Sequence, residues 1–407
     1  MSQTGVKEEV SLARWARALR RSALQEMLTR ASRPGVISFA LGLPAAELFP
    51  TAEFAEATGR VLTDPRSLQY SPHFQPLKTH VVELMRRRGV ACDEGQVFLT
   101  AGAQQGMNLL SRLLLESGRQ VITEELIYTG FQQVLAPFQP EVLTVPTDPE
   151  TGMDVDAVDA LLSGGARPAF IYAITDGHNP MAVSMSVAKR ERLVELARRH
   201  RVPILEDDAY GFLCYEGSPK PPLRALDERW VFYLGSFSKV LAPALRVGWI
   251  VAPEELMSPL SVIKEATDID TTTFTQRVIN AYLDAGDLPS HIESLRRHYG
   301  LRRDTMLDAL RSHFPAEARW RTPESGLFVW VELPEQVNAD ELFRTALESE
   351  GVAFIPGHAF GVDPGRPAPR SMRLNFSHST PEQIAEGVPR LARALKRLNQ
   401  GLNSHGD

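Results

Sequence analysis

Cysteine is scarce in this chain of 407 residues, which has only Cys92 and Cys214, in unrelated contexts. A disulfide framework or a cysteine-rich metal site needs several cysteines at short spacing, so neither is expected. We expect both thiols to be free in a reducing compartment. Long apolar runs are also missing, since none approaches the ~20 residues of a membrane span, and the charged N-terminus is unlike a signal peptide. The sequence predicts a cytoplasmic protein without a membrane partner.

An excess of positive charge is absent as well. The formal net charge is -6 and the isoelectric point is about 6.0, so there is no general electrostatic reason to bind nucleic acid or an anionic membrane. The hydrophobic share of 43% and the charged share of 23% are typical of a folded globular chain rather than a disordered one. The charge balance favours small-molecule chemistry. The length exceeds that of one compact core, so we expect two domains, or one large α/β domain with a smaller partner.

The central part of the chain alternates short apolar runs with amphipathic stretches. The runs include GQVFLTAG, PAFIYAI, VPILEDDAY and VFYLGS, and the stretches between them have helical spacing. This alternation is typical of strands joined by crossover helices, so it predicts an α/β fold with a mostly parallel, buried sheet. We place an N-terminal helix and loop at 1–45, a large domain at 46–285 and a smaller α+β domain at 286–407.

Polar residues that follow the apolar runs are candidates for a binding site, because ligands collect beyond the carboxyl ends of parallel strands. In TAGAQQ, Ala103 and Gln104 begin a helix whose free N–H groups favour a phosphate, although a plain tight turn is the simpler explanation. In EDDAY, Asp207 ends a strand, where it either meets a cation or forms a solvated acidic turn. In DGHNP, Asn179 can mark a turn, and His178 has no second histidine at ligand spacing, so no metal is expected.

Two further stretches carry cations. In GSFSKVLAPALR, Ser236, Ser238 and Arg246 can hold a phosphate, and Lys239 can then reach a carbonyl carbon and form a Schiff base. In MRLNFS, Arg373 has apolar neighbours, where its guanidinium can pair with a carboxylate or lie exposed at a sheet edge. Taken together, the stretches ask for a cofactor with a phosphate, an aldehyde and a ring nitrogen, and pyridoxal phosphate has all three.

From these motifs the sequence resembles the fold-type I aminotransferases, which use pyridoxal 5'-phosphate. It is most similar to the branch that contains 2-aminoadipate and kynurenine aminotransferases and the aminotransferase-like domains of bacterial regulators. The resemblance extends over nearly the whole chain, through ISFALGLPAAELFP, LQYSP, EDDAYGFL, GSFSKVLAPALRVGW and MRLNFS. It implies a large domain with a mostly parallel seven-stranded sheet flanked by helices, a smaller α+β domain and a homodimer.

The resemblance also implies catalytic roles for individual residues. Lys239 is the lysine that forms the Schiff base and moves the substrate proton, and Asp207 pairs with the protonated ring nitrogen. Tyr210 and Asn179 donate hydrogen bonds to the phenolate oxygen of the cofactor, and Tyr128 stacks on its ring.

The other implied roles concern the phosphate and the substrate. Tyr70 reaches the phosphate of the neighbouring subunit, which makes the protein a homodimer. Arg373 binds the substrate α-carboxylate, and Gly42 and Asn179 lie near the substrate. The residues that hold the phosphate within one subunit are Ala103, Gln104, Ser236, Ser238 and Arg246.

Three features depart from the family pattern, and the first two should lie at or near the entrance and the dimer contacts, where they bear on the substrate and the reaction. Met181 and Ala182 stand where Thr-Gly usually follows Asn-Pro, the stretch HFQPL is shortened, and Ala244 replaces a glycine. The first hypothesis is transamination between an L-amino acid and a 2-oxo acid such as 2-oxoglutarate. The second is decarboxylation, elimination, cyclisation or oxidation on the same cofactor. The third is a ligand-sensing domain, although the stretch before Arg33 is too short to hold the DNA-binding domain of the regulators.

The substrate side chain is left open by the sequence. An acidic side chain needs a second cation, for which Arg20, Arg21 and Lys78 are the candidates. An aromatic or aliphatic side chain would use the apolar residues Leu41, Phe74, Met181 and Phe274.

Overall fold

The structure is a computed structural model that describes residues 11–17, 33–69, 74–286, 288–362 and 368–403. Its strands are β1 (Ile37–Ser38), β2 (Val97–Thr100), β3 (Gln120–Glu124), β4 (Glu141–Val145), β5 (Thr147–Asp148), β6 (Gly152–Met153), β7 (Ile171–Ala173), β8 (Ile204–Asp207), β9 (Val231–Ser236), β10 (Gly248–Val251), β11 (Arg319–Trp320), β12 (Phe328–Glu332), β13 (Val352–Ala353), β14 (Ile355–Pro356) and β15 (Ser371–Asn375).

Its helices are α1 (Arg14–Arg17), α2 (Thr51–Leu62), α3 (Pro76–Arg87), α4 (Ala103–Leu114), α5 (Thr129–Leu135), α6 (Val155–Ser163), α7 (Val187–His200), α8 (Leu223–Leu226), α9 (Met257–Asp268), α10 (Thr273–Asp284), α11 (Leu288–His313), α12 (Ala339–Thr345) and α13 (Pro381–Asn403). Of the N-terminal helix predicted within 1–45, only α1 falls among the described residues. No helix in the described ranges is long and apolar enough to cross a membrane.

The large sheet has seven strands in the order β2, β10, β9, β8, β7, β3 and β4. All neighbouring pairs are parallel except those of β10, which runs antiparallel to β2 and β9. Every residue of β8, β9 and β10 is buried, as expected for strands covered on both faces. The predicted α/β fold with a mostly parallel seven-stranded sheet is confirmed.

Two helical layers cover the opposite faces of this sheet. Ile122, Ile171 and Ile204 pack in the layer that contains α6 and α7, whereas Val121 and Leu205 pack in the layer that contains α4, α5 and α9. Because successive strand residues point to opposite faces, the strands need apolar residues at nearly every position. The parallel strands β7, β8 and β9 all end at one edge, so the polar residues that follow them meet there.

A smaller antiparallel sheet, ordered β11, β12, β15 and β14, lies in the C-terminal part of the chain, where α11 packs against α13. Strand β1 pairs in parallel with β13, which ties the segment after Arg33 to this part. One apolar cluster joins the two parts and includes Phe237, Trp249 and Phe328. The domain limits at 1–45, 46–285 and 286–407 stay a prediction.

Candidate functional site

A cavity of about 440 Å³ lies beyond the carboxyl ends of β7, β8 and β9, and this volume is typical of small-molecule sites. Of the thirteen residues given roles by the family resemblance, twelve line it. Tyr70 lies outside the described residues. The twelve are Gly42, Ala103, Gln104, Tyr128, Asn179, Asp207, Tyr210, Ser236, Ser238, Lys239, Arg246 and Arg373.

Asp207 ends β8 and is only 5% exposed. The Tyr172 hydroxyl donates a hydrogen bond of 2.7 Å to its Oδ2, whereas its Oδ1 has no partner among the described residues. Burial raises the pKa of Asp207 to about 6, Tyr172 opposes the rise, and Asp208 adds to it. A buried carboxylate with one free oxygen favours a cationic N–H donor in the cavity.

Lys239 follows β9 and reaches into the cavity from the side of the sheet. Its Nζ donates a hydrogen bond of 2.8 Å to the Gly42 carbonyl oxygen. Burial, together with the cations Arg373 and Arg246, lowers the pKa of Lys239 to about 8, although Asp207 opposes the fall. A large fraction of the amine is therefore neutral near pH 8, as a nucleophile towards an aldehyde must be.

Hydroxyls, a helix N-terminus and a guanidinium converge at one end of the cavity. Arg246 donates to the Ala101 carbonyl oxygen at 2.9 Å and to Ser238 Oγ at 3.4 Å. Gly102, with φ of +90°, precedes α4, and a Cβ there would lie 2.6 Å from an Arg246 nitrogen. Only glycine therefore lets the guanidinium reach the first turn of α4. Together with Ser236, these groups can hold a phosphate.

Two tyrosines and an asparagine also line the cavity. The Tyr210 hydroxyl is hydrogen-bonded to Asn179, and burial raises the pKa of Tyr210. Burial also raises the pKa of Tyr128, which precedes α5 and packs against Gly130, where any Cβ would overlap the ring. These hydroxyls stay protonated near neutral pH and can act as hydrogen-bond donors.

Arg373, in the middle of β15, is a buried cation with neutral partners. It donates to Asn179 Oδ1 at 2.7 Å and to the Ala40 carbonyl oxygen at 2.9 Å. Its guanidinium lies 4.1 Å from the ring centroid of Phe328 and 4.8 Å from that of Phe360. Within the described ranges no carboxylate pairs with it, and burial lowers its pKa to about 10. Such a group favours an anionic ligand, and a carboxylate fits its planar fork.

The chemistry of these groups fits pyridoxal phosphate. The free Asp207 oxygen suits the ring nitrogen, the lysine amine suits the aldehyde, and the cradle formed by Gly102, Arg246 and α4 suits the phosphate. Arg373 is not matched to any group of the cofactor, so it is available to bind the carboxylate of another molecule. The groups that fit the cofactor are thus distinct from the arginine that fits a carboxylate.

Few of the residues that were candidates for contact with the substrate side chain line this cavity. Leu41 does, whereas Met181 and Ala182 line a second cavity of about 750 Å³. Ala182 has a φ of 61°, a left-handed conformation that glycine adopts more readily. Neither departure after Asn-Pro therefore lines the Lys239 cavity. Lys78, Phe74 and Phe274 line grooves elsewhere, and Arg20 and Arg21 lie outside the described residues.

Sequence reasoning missed several residues of the site. Tyr172 lies inside the apolar run PAFIYAI, and its hydroxyl was the only indication of a polar role. Phe328 stacks on Arg373, but a phenylalanine in a strand of the second sheet gives no sign of this. Thr129, Gln133, Ile174 and Leu43 also line the cavity.

Known proteins are similar to this chain over nearly its whole length. Residues 35–391 match the family model described as aminotransferase class I and II. The chain is 37% identical to aromatic-amino-acid aminotransferase 1 of Thermococcus litoralis, covering 94% of this chain and 93% of that one. It is 39% identical to the 2-aminoadipate transaminase of Thermus thermophilus, covering 93% and 94%.

A solved structure shows the same likeness. It is the α-aminoadipate aminotransferase of Thermus thermophilus in complex with N-(5'-phosphopyridoxyl)-L-leucine. The TM-score is 0.88 at 36% identity, with 96% of this chain and 98% of that chain covered.

Proposed function

This chain belongs to the aminotransferase class I and II family, and on that premise we propose that Lys239 binds the cofactor through a Schiff-base bond and carries the substrate proton. The protein is an aminotransferase that uses pyridoxal phosphate, with amino acids and 2-oxo acids as its substrates. Bound pyridoxal phosphate supplies an electron sink for the charge left when the substrate Cα–H bond breaks.

The other side chains around the cavity bind and orient the cofactor, and Lys239 transfers the proton. Asp207, with its free Oδ1, holds a proton on the ring nitrogen, and Tyr210 with Asn179 orients the phenolate side. Ser236, Arg246 and the first turn of α4 hold the phosphate. Lys239, with its lowered pKa, releases and takes up a proton near neutral pH, as an acid–base group must.

The observation that carries the proposal for the substrate is the buried Arg373 without a carboxylate partner. Both an amino acid and a 2-oxo acid have a carboxylate next to the reacting carbon. One arginine can therefore bind donor and acceptor in turn. We assign the α-carboxylate to Arg373, with Gly42 and Asn179 beside it, and 2-oxoglutarate to the acceptor.

The test is the visible spectrum of the purified holoenzyme during successive additions. Each of a panel of L-amino acids is added first, and 2-oxoglutarate follows. We expect a suitable donor to abolish the visible band of the lysine-bound cofactor and 2-oxoglutarate to restore it. A donor-induced change that no 2-oxo acid reverses would contradict transamination and favour another reaction on the cofactor.

The panel also decides the donor side chain. The two relatives named above are called aromatic and 2-aminoadipate aminotransferases, so the panel includes phenylalanine, tyrosine and 2-aminoadipate, with leucine as an uncharged aliphatic donor. The donor that removes the band at the lowest concentration identifies the preferred class.

We propose a homodimer in which Tyr70 reaches the phosphate of the partner subunit, on the strength of the family resemblance. Mixing two impaired variants tests this. A hybrid of Lys239→Ala and Tyr70→Phe subunits has one site with Lys239 and an intact Tyr70 from its neighbour, so the activity per Lys239 should rise on mixing. If Tyr70 served its own subunit, mixing would not raise the activity.

A further inference from the structure

A group of four buried charged side chains lies outside the cavity, next to Asp207. Arg88, at the end of α3, donates through one nitrogen to Asp176 Oδ2 at 2.9 Å and to Asp208 Oδ2 at 3.0 Å. Arg190 of α7 pairs with Asp176 Oδ1 at 2.7 Å. All four side chains are at most 7% exposed. We call Arg88, Asp176, Arg190 and Asp208 the buried charge network.

The network joins the two loops that carry cofactor-facing residues. Asp208 directly follows Asp207, and Asp176 lies three residues before Asn179. A single Arg88 nitrogen therefore links the end of β8 to the loop that follows β7. The packing is close, since any Cβ on Gly211 would overlap both Arg88 and Asp208.

The two carboxylates depend on Arg88 to different degrees. Asp176 has a second cation in Arg190. Asp208 forms an ion pair with Arg88 alone within the described ranges; its other partners are the Tyr233 hydroxyl and the Gly211 N–H. Without Arg88, an unbalanced carboxylate would lie next to Asp207, and a like charge nearby disfavours ionisation.

We propose that Arg88 is a positioning residue of the aminotransferase site, which holds the Asp207 turn against the Asn179 loop and balances the charge of Asp208 so that Asp207 stays anionic. This inference rests on the proposed contact between Asp207 and the cofactor. Arg88 itself does not line the cavity, and it acts only through Asp208 and Asp176.

Other charged groups also face this region. Burial works against the charged form of Arg88, but Asp208 and Asp176 outweigh it, and the pKa of Arg88 is raised. The Tyr233 hydroxyl and the buried Glu206 also face Asp208. The groups that act on Asp207 are Tyr172, Asp208, Lys239, His178, Tyr128 and Tyr210.

The experiment measures the affinity of the cofactor-free full-length chain for pyridoxal phosphate by protein fluorescence between pH 5 and pH 9. In the parent the affinity should fall on the acid side, where Asp207 takes up a proton. In Arg88→Met this fall should move to higher pH by about one to two pH units. Starting from an Asp207 pKa of about 6, this displacement makes binding at pH 7 roughly twofold to tenfold weaker. Recovery towards pH 9 is expected.

Three further variants separate charge from shape. Arg88→Lys keeps the cation, so its pH midpoint should stay with the parent. Asp208→Asn removes the like charge and should move the midpoint to lower pH, which tests the proposal even if Arg88→Met folds poorly. The double variant Arg88→Met with Asp208→Asn should restore the parent midpoint. Far-UV circular dichroism confirms folding in each case.

Two results would overturn the inference. One is a loss of affinity in Arg88→Met that is equal at every pH, and the other is a double variant worse than Arg88→Met alone. Asp207→Asn tests the assigned role of Asp207 separately from that of Arg88. If that variant binds pyridoxal phosphate like the parent, the assigned role of Asp207 is wrong; if it binds weakly while the Arg88 and Asp208 variants show no pH displacement, only the role of Arg88 is wrong.

Discussion

Two sets of buried charged side chains, one in the cavity and one in the buried charge network, meet at the adjacent residues Asp207 and Asp208. They differ in how their charges are paired. In the buried charge network, Arg88, Asp176 and Arg190 each have an opposite charge at ion-pair distance. In the cavity, Arg373 and Lys239 form no ion pair with a described residue, and one oxygen of Asp207 is free. The buried charges next to the cavity thus have partners of opposite charge, whereas Arg373 and Lys239 inside it form no ion pair with a described residue.

The difference separates structural from functional charges. A buried charge without a partner is unfavourable in the free protein, so such groups persist where a ligand completes them. Removing a network charge should therefore cost stability. Removing a cavity charge should cost activity and leave stability intact, and the predictions below test this contrast.

The largest effect is expected for Lys239→Ala. Because the variant lacks both the nitrogen that binds the cofactor and the proton carrier, turnover should fall by about 10⁴-fold or more. The visible band should be lost, while the unfolding midpoint of the cofactor-free protein should not fall, since the pKa of this lysine is already lowered by burial. A normal visible band in this variant would contradict the assignment.

The next effect concerns stability and the network. Asp176→Asn leaves Arg88 and Arg190 buried with too little negative charge, so unfolding in urea should show a loss of about 3–5 kcal/mol. The matched control is Glu150→Gln, which breaks the exposed ion pair with Arg321 and should change stability by less than about 1 kcal/mol. Equal effects of the two variants would remove the contrast.

Arg373→Met should separate binding from folding. The substrate carboxylate loses its partner, so KM for the amino donor should rise by about 100-fold, whereas the free protein loses no ion pair and should be at least as stable. Arg370→Met, three residues away, breaks only the exposed pair with Glu335 and should leave KM unchanged. If KM for several donors is unaffected by Arg373→Met, the carboxylate binds elsewhere.

A smaller effect follows from the pKa of Lys239, lowered to about 8. The neutral amine attacks the aldehyde, so the rate at which cofactor-free protein gains the visible band should rise about tenfold per pH unit below that value and level off above it. The rate should level off well below the pH at which an ordinary lysine loses its proton. A rate that still increases through pH 10 would show that the pKa of Lys239 is not lowered.

Much of the fold and of the site could be predicted from the sequence. The apolar runs that end in EDDAY and GSFSK indicated strands with polar residues at one edge, and the structure places Asp207 and Lys239 on one cavity there. The place of Met181 in the fold could not be predicted, because a residue after a turn can face either side of its loop. It lines the second cavity.

Periodicity and short motifs are local properties, so the alternation of strands and helices and the residue types needed for the cofactor could be predicted from the sequence alone. The pairing of the charges, in contrast, depends on how the chain packs. Arg88 and Asp208 are 120 residues apart in the chain, and Arg373 and Asn179 are 194 apart, so their contacts depend on the strand order and on how the C-terminal sheet packs over the strand ends. The sequence therefore supplied the groups, and packing decided which of them stay free for a ligand.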